Sequence, residues 1–579
     1  MIEKDEVVLK RGSEWLRFSQ PYRVVTTENL HEVHEALQEV EGLVESNRWH
    51  AAGFISYEAA PAFDTALHIR NSREFPLLWF GLYPIPQVIS LPLVGKKLPR
   101  LKWQPSIEKK AYFSAVEEIK DYIARGMTYQ VNFTMRLNSA FTGSAWELFL
   151  NLAQNQNKYA AYINIGRYAI CSASPELFFQ LDGETITSRP MKGTARRGRT
   201  TVEDDTQAEW LQSSIKNRAE NVMIVDMIRN DLGRIARIGS VQVPRLFEIE
   251  KYPTLFQLTS TVQAKTKASI TEIFGALFPC ASISGAPKVS TMNIISKLET
   301  TPRRLYTGSI GYIAPGRRAQ FNVAIRTVIT DRKTKSAEYG AGGGVVWDST
   351  SEGEYDEALL KAHVLTQSPI GFSLFETILW TPQDGYFLLE KHLTRLADSA
   401  NYFEFMYSHE ETVALLDNLS QNFISPKRVR LELNRMGKLT SEARSFYLTQ
   451  KPFRACLAEK AVDSKDVFLF HKTTQRKIYK EALNTIYRVS PNNRIKFDDV
   501  LLYNENDELT EFTIGNLVVV KNGELVTPPV SCGLLAGTFR GHLLETGRIK
   551  QQVIYKNELA SCERVFLINS VRRWVEVEF

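Results

Sequence analysis

Apolar residues at Tyr112, Val116, Ile119 and Ile123 recur every three to four positions, which predicts a helix over 106–127 closed by Gly126. The apolar blocks AAGFISYEAA (51–60) and LLWFGLYPI (77–85) predict strands, and a proline-punctuated stretch runs from Pro84 to Pro105. A second helix is expected over roughly 205–235, containing NRAENVMIVDMIRNDLGRI, and a third begins near Ser351 with SEGEYDEALLKAHVL. Between them, GSIGYIAPG (308–316) and FNVAIRTVIT (321–330) read as hairpin strands. Near residue 368 the pattern changes. The helix ends at SPIG (368–371) and a strand-like run, GFSLFETILW, follows directly. This divides the chain into 1–367 and 371–579, and without an internal repeat the two parts are different folds.

Composition narrows the class. With 44% hydrophobic and 23% charged residues among 579, the chain is an ordinary globular protein of two to four domains. The 71 Lys and Arg exceed the 65 Asp and Glu by six, too small an excess for a nucleic-acid binder of this length. Five scattered cysteines without a CxxC pair fit a reducing compartment. The start, MIEKDEVVLK, lacks an apolar signal region, and no apolar run reaches membrane-spanning length. A cytoplasmic protein without a membrane segment is the expectation.

Candidate chemistry in the first part begins with carboxylates. Glu220 shares a helical face with Ile224, Met227 and Asp231, and Glu354, Glu357 and Lys361 share another. Two acidic helical faces can converge on a hard cation such as Mg²⁺, although acidic helix faces are more often plain solvated surface. The glycines of YGAGGGVVW (339–347) free backbone N–H groups to cradle an anion, or form a plain turn. Val345 at the third glycine position rules out a dinucleotide fingerprint. SISGAPK (282–288) is a second small-residue loop.

SPELFF (174–179), RPMKGTARRG (189–198), NRAENVMIVDMIRNDLGRI (217–235), SISGAPKVSTM (282–292), GSIGYI (308–313), AIRTV (324–328) and GAGGGVVWDSTSEGEYDEALLKA (340–362) occur in that order. Together they resemble the chorismate-utilising enzymes, densely over 106–365 and thinly over 1–105. The resemblance implies an α/β sandwich with antiparallel sheets at its centre and helices outside. It also implies chorismate as substrate, with Glu220 and Glu357 as Mg²⁺ ligands and Glu354 beside them. Tyr312, Arg326, Gly342 and Gly344 match positions that grip the enolpyruvyl side chain and its carboxylate. Lys192, in PMKGT, separates the subfamilies: anthranilate synthases carry Ala there and aminodeoxychorismate synthases carry Lys. A lysine suits amination at ring C4 with retained configuration. Its amine adds at C2 as the C4 hydroxyl leaves, and ammonia then displaces it, provided the amine is unprotonated. Glu176 matches the general acid for the departing hydroxyl. Gln257 stands where several relatives have His, and it cannot titrate. No cysteine lies in a Gly-x-Cys-x-Gly nucleophile turn, so ammonia is expected from solution or a separate glutamine amidotransferase subunit.

In the second part GFSLFETILW, EKHLTRL (390–396), RVRLEL (428–433), FHKTTQRKIY (470–479), LTEFTIGNLVVVKNGELVTPP (509–529), LLAGTFR (534–540) and FLINS (566–570) recur in order. They resemble the fold-type IV pyridoxal phosphate enzymes, an α+β domain following the α/β one. By that resemblance Lys472 carries the cofactor, Glu511 keeps the pyridine nitrogen protonated, and Asn516 follows five residues later. Arg395, Gly537, Thr538 and Ser570 match the phosphate cup. Leu379 replaces an Arg of several relatives. These motifs do not separate lyases from aminotransferases. A lyase beside the synthase that makes its substrate is the reading taken, implying synthesis of 4-aminobenzoate, a folate precursor, with a homodimer expected through this domain. The rival pairs an anthranilate-type first part with a branched-chain or D-amino-acid aminotransferase; Lys192 argues against it.

Overall fold

Strands covered on both faces carry nearly unbroken apolar runs, and the first part of the chain has many: Leu78–Tyr83 and Tyr168–Ser172 are buried at every position. The computed structural model describes residues 3–72, 74–92, 101–155, 158–253, 255–362, 365, 371–447, 451–489 and 497–579. By its contacts the chain divides into two units, Met1–Arg196 with Ala208–Pro369, and Arg197–Gln207 with Ile370–Phe579. The SPIG junction lies largely outside the described residues.

The first unit holds two ten-stranded antiparallel sheets. One runs from the short strand Gly285–Ala286 through Gln130–Ala140, Ser336–Val345, Thr327–Asp331 and Tyr168–Ser172 to the N-terminal strands. The other runs from Met191–Arg196 through Leu255–Lys265, Thr185–Arg189, Leu177–Asp182, Arg318–Val323 and Ser309–Ala314 to Arg23–Thr27. Val7, Leu9 and Ile163 of the first sheet share a buried cluster with Phe54, Trp79 and Ile310 of the second, so the sheets face each other. Helices cover the outer faces: Val33–Asn47, Ile215–Gly233 and Ile270–Leu277 on one side, Lys109–Ala124, Ala145–Asn155 and Ser351–Ala362 on the other. This is the sandwich with central antiparallel sheets and outer helices that the motifs implied.

Three elements differ from the sequence pattern. The helix expected over 205–235 is two, Thr201–Ser213 and Ile215–Gly233, because the Ser214 side chain accepts from Asn217 N and caps the second. The glycine run is a strand, Ser336–Val345, paired residue for residue with Gln130–Ala140, rather than a turn. FNVAIRTVIT is not one strand. The chain leaves the second sheet at Val323 and enters the first at Thr327, with Arg326 in the left-handed region (φ 52°) at the crossover.

The second unit has a four-stranded sheet, Gly385–Tyr386, Leu374–Thr381, Lys427–Leu433 and Leu439–Ser445, and an eight-stranded one. In the latter, Leu509–Phe512 begins the strand order yet also pairs with Asn516–Lys521 through Glu511 and Asn516, closing six strands into a ring. Residues Arg197–Gln207 belong with this unit, a division finer than the boundary near 368.

Candidate active sites

In the first unit the PMKGT strand is pinned from beneath. Asn221, buried on the Ile215–Gly233 helix, donates from Nδ2 to Lys192 O (3.3 Å) and Leu258 O (3.4 Å), and Ser260 O–H donates to its Oδ1 at 2.5 Å. Gln257 Nε2 donates to Gly193 O (3.0 Å), while the Thr194 hydroxyl donates to Gln257 Oε1 (3.3 Å). The residue that replaces a titratable His therefore holds the backbone on the far side of Lys192. Gly193 sits at φ 98°, which a side chain would strain, so the irregularity in this strand after Lys192 requires glycine.

That anchoring aims the Lys192 amine at the glycine strand. A Cβ on Gly344 would overlap the Gln130 amide and lie 2.7 Å from Lys192 Nζ. One residue earlier, a Cβ on Gly343 would lie 2.8 Å from Glu354 Oε2 and 3.7 Å from Glu357 Oε1. Gly342 instead clears the backbone of Phe133 and Thr134. Burial lowers the Lys192 pKa, against the attraction of Glu220 and, more weakly, of Glu357 and Glu354; Lys361 works in the same direction as burial. The result is an amine more easily deprotonated than an exposed lysine.

Glu176 lies 3% exposed beside it. Burial pushes its carboxyl up to about 7, although Ser282, Met191 N–H and Lys192 all favour the charged form. The Ser282 hydroxyl donates to Glu176 Oε1 at 2.7 Å. A carboxyl still half protonated at neutral pH, with one oxygen fixed, is suited to act as a general acid. Removing the Ser282 hydroxyl withdraws stabilisation from the carboxylate, so Ser282→Ala is expected to raise the Glu176 pKa by about one unit. The alkaline limb of kcat/KM for the first reaction should then move upward; an unmoved limb would separate Glu176 from the rate-determining proton transfer.

Arg326 is positioned at the same corner. It stands three residues after Val323, whose N–H donates to Glu176 O (3.1 Å), and its guanidinium lies 6.0 Å from the Tyr252 ring. Its Nη1 is buried without a partner, as are both amide atoms of Gln130. Unsatisfied buried polar groups are costly unless something fills them, and these face carboxylate and hydroxyl chemistry well.

Two groups of expected residues need correction or qualification. Tyr312 lies against Phe18 (6.3 Å) and under the influence of Arg11, on the face of Ser309–Ala314 that looks into the intersheet core. None of the residues around Lys192 is among its partners there. Tyr306, six residues earlier, is the tyrosine beneath the glycine strand, where a Cβ on Gly340 would overlap its ring. The carboxylates Glu220, Glu354 and Glu357 all act on Lys192, yet among the described residues no three acidic, His or Cys side chains are gathered closely enough to hold a metal ion. Glu357 is paired with Lys361 (2.7 Å) and Asp231 with Lys288 (3.1 Å), while Glu354 Oε1 accepts from Ser349 and its Oε2 is buried without a partner. That orphaned oxygen, with Glu357 beside it, is a donor set that suits Mg²⁺.

In the second unit the expected cofactor residues form one connected group. Burial and Arg395 lower the Lys472 pKa to about 8, despite Glu376 and Glu511. Its ammonium lies 5.0 Å from the Phe375 ring, and the Arg430 guanidinium lies 4.0 Å from the same ring. Glu511 is 4% exposed and pushed up to about 7 by burial. It accepts from Tyr479 O–H (2.7 Å), Leu535 N (3.2 Å) and Asn516 Nδ2 (3.2 Å). A Cβ on Gly537 would overlap Asn516 Oδ1, so the backbone entering the Thr538–Glu545 helix approaches closely only with glycine there. Arg395 donates from Nη1 to Ala536 O (3.0 Å) and forks onto Glu376, while Ser570 O–H reaches Thr377 O (3.5 Å). A buried lysine of lowered pKa, a buried carboxyl and a glycine-lipped helix start fit pyridoxal phosphate.

Sequence reasoning missed Gln130, Asn221, Ser282, Tyr306, Glu376, His392, Tyr479 and Arg430. Glu376 and His392 lie inside motifs already quoted, and His392 stands one helical turn before Arg395, a usable signal. Leu379, where an Arg was expected, pairs across the sheet with Arg428, two residues from Arg430. In the basic segments ARRGR (195–199) and GRR (316–318), Arg197 pairs with Asp204 (2.7 Å), Arg199 with Glu203 (2.7 Å), and Arg317 donates to three carbonyls. No described helix is long and apolar enough to cross a membrane.

Comparison with known proteins matches a family to each part of the chain. Residues 89–367 match the chorismate binding enzyme family, and residues 373–578 match amino-transferase class IV. Aminodeoxychorismate synthase component 1 of Escherichia coli (strain K12) is 39% identical over 45% of this chain and 58% of its own. The corresponding protein of Bacillus subtilis (strain 168) is 40% identical over 44% and 55%. The chain thus spans little more than half the length of these relatives. A crystal structure of anthranilate synthase component I from Streptococcus pneumoniae TIGR4 superposes with a TM-score of 0.52 at 24% identity, covering 63% of this chain and 93% of that one. Anthranilate synthase component 1 of Methanothermobacter marburgensis is 32% identical over 55% of this chain and 74% of its own. The chain belongs to the chorismate binding enzyme family, with a class IV amino-transferase domain following in the same polypeptide.

Proposed function

We propose that this chain makes 4-aminobenzoate from chorismate in two reactions, one in each unit. The observation that carries the reading is Lys192: an amine of lowered pKa directed at the partly exposed Gly344, with Glu176 beside it and a class IV amino-transferase domain downstream. An anthranilate-forming site has no use for a nucleophile at that position.

In the first unit Lys192 Nζ attacks ring C2 of chorismate, both ring double bonds shift, and the C4–O bond breaks. Glu176 delivers its proton to the departing hydroxyl, which leaves as water. Ammonia then attacks C4, both double bonds shift back, and the C2–N bond to Lys192 breaks, giving 4-amino-4-deoxychorismate. Two displacements preserve the configuration at C4. Arg326 is suited to a substrate carboxylate by its unpartnered Nη1, and the Gln130 amide by its position beside Gly344. Glu354 and Glu357 would hold Mg²⁺, which neutralises charge on a substrate carrying two carboxylates; Glu220 is not gathered with them.

In the second unit Lys472, Glu511, Asn516 and the Arg395–Gly537–Thr538–Ser570 cup would hold pyridoxal phosphate. Bound there, it supplies an electron sink that acidifies the C–H bond beside the substrate amine. Glu511, fixed by Tyr479 and Leu535 N–H, keeps a proton at the pyridine nitrogen. Lys472 Nζ would take the proton from ring C4 as the C3–O bond breaks, so that enolpyruvate leaves, takes a proton to become pyruvate, and the ring becomes aromatic. Arg430, stacked on the Phe375 ring that Lys472 also meets and paired with Glu432, is the candidate for the ring carboxylate in place of the Arg that Leu379 replaces.

Nitrogen enters as ammonia. All five thiols, Cys171, Cys280, Cys456, Cys532 and Cys562, have pKa values raised by burial, the opposite of what an amidotransferase nucleophile needs. Purified protein given glutamine alone should form no 4-aminobenzoate. With ammonium the rate should rise about tenfold per pH unit while the cation predominates, because only free ammonia has a lone pair. A separate glutamine amidotransferase subunit should restore glutamine use at neutral pH. Product from glutamine with this chain alone would reveal a hidden amidotransferase site. The decisive experiment incubates the protein with chorismate, Mg²⁺ and ammonium and identifies the aromatic product; anthranilate as that product would overturn the reading.

A further inference from the structure

Three buried side chains of the second unit, Glu376, His392 and Thr538, form a relay whose far end is the phosphate cup, with Arg395 beside them. Glu376, 1% exposed, receives Arg395 Nε at 2.9 Å and Nη2 at 2.6 Å, and lies 2.7 Å from His392 Nδ1. His392 is fully buried, and its Nε2 lies 3.2 Å from Thr538 Oγ1. Burial alone would raise the Glu376 carboxyl, but Arg395 and His392 override it and hold the group far below the usual carboxylate range. It is therefore an acceptor only.

The proton inventory follows from that. An ionised Glu376 can only accept, so His392 Nδ1 carries a hydrogen in either protonation state. If the imidazole is neutral, Nε2 is a bare acceptor, and the single hydroxyl proton of Thr538 points at it. Thr538 then presents only lone pairs to the cup, where a phosphate dianion also has nothing but lone pairs. If Nε2 is protonated, it donates to Thr538 Oγ1 and releases the hydroxyl proton toward the phosphate.

We propose that His392, oriented by Glu376, is a positioning residue for the phosphate of the cofactor: it takes up a proton as the phosphate seats, turning Thr538 from its donor into a donor to the phosphate. This rests on reading the unit as a pyridoxal phosphate enzyme. The charges facing His392 are Glu376 on the neighbouring strand, Arg395 on its own helix and Lys472 across the cup. Without phosphate, burial and the two cations keep the imidazole neutral against Glu376. Two added negative charges at Thr538 reverse that balance. The sign is then fixed. Phosphate raises the His392 pKa, so affinity is greatest below the pKa of the free protein and falls as pH rises toward that of the complex.

The test uses the full chain stripped of cofactor, with pyridoxamine 5′-phosphate as probe, since its amine makes no covalent link to Lys472. Calorimetry at one pH in buffers of different ionisation enthalpy counts the protons taken up. Wild type should take up more than Thr538→Val, by up to about one proton, and Thr538→Ser should restore the wild-type count. Protonation of the pyridine nitrogen is common to all three proteins and cancels. His392→Asn should flatten the extra fall in affinity with pH, which in wild type approaches tenfold per unit. Pyridoxamine without phosphate should bind all of them alike. Equal proton counts for wild type and Thr538→Val would overturn the relay, and that comparison stands even if His392→Asn does not fold. Failure of wild type to bind the probe at all would instead overturn the cofactor reading, and the relay with it.

Discussion

Lys192→Ala should abolish the conversion of chorismate to aminodeoxychorismate, with a loss of at least ~10³-fold, because no other group on the protein can supply the displaced amine. The same protein should still release 4-aminobenzoate from supplied aminodeoxychorismate at the wild-type rate, since Lys472 and its surroundings lie in the other unit. Lys192→Arg sharpens the result. Arginine keeps the positive charge near Glu220, Glu354 and Glu357 but never loses its proton at working pH. If Lys192 acted only by charge, Lys192→Arg would retain much of the activity; as a nucleophile, it should be as inactive as Lys192→Ala. The pH profile carries a matching sign. Burial lowers the Lys192 pKa, so the fraction of free amine at neutral pH exceeds that of an exposed lysine. Any substitution that admits water beside Nζ should push the rising limb of kcat to higher pH. Undiminished product from chorismate in Lys192→Ala would remove the covalent step from the mechanism.

The order of motifs made the sandwich legible, because each motif is a local device whose spacing survives without coordinates. Element types were readable where one physical rule dominates, as in the amphipathic helix Lys109–Ala124, capped close to the expected Gly126. They were misread where tertiary packing decides. YGAGGGVVW has the composition of a turn, yet its glycines serve a strand squeezed between Tyr306, Gln130, Lys192 and Glu354. Tyr306, six residues before Tyr312, was not singled out by any motif, and only packing shows its ring beneath Gly340 while Tyr312 lies against Phe18. Ser282 and His392 were passed over inside quoted motifs because each acts through another side chain, Ser282 on Glu176 and His392 between Glu376 and Thr538. Contacts over 106 and 146 residues leave no trace in local spacing.

Lys472→Ala should leave the first reaction intact and stop the second, so that chorismate, Mg²⁺ and ammonium yield accumulating aminodeoxychorismate with no pyruvate. Two features make the loss large. Lys472 is the group expected both to carry the cofactor and to move the C4 proton, so its removal takes away anchor and base together, at least ~10³-fold in rate. A pKa lowered to about 8 keeps an appreciable fraction of the amine free at neutral pH, which a lysine at its ordinary value would not have. Wild type should accordingly absorb in the visible, and borohydride reduction followed by peptide mapping should place the pyridoxyl group on Lys472. Free amines added to Lys472→Ala should restore part of the pyruvate release, because a diffusing base can replace the proton transfer though not the anchor. The companion variant Glu511→Gln separates anchoring from electronics. It leaves Lys472 in place, so the visible chromophore should persist, but a neutral amide cannot keep the pyridine nitrogen charged and pyruvate release should fall sharply. If Lys472→Ala still releases pyruvate and 4-aminobenzoate at the normal rate, the second reaction occurs elsewhere on the chain and this unit is not a lyase.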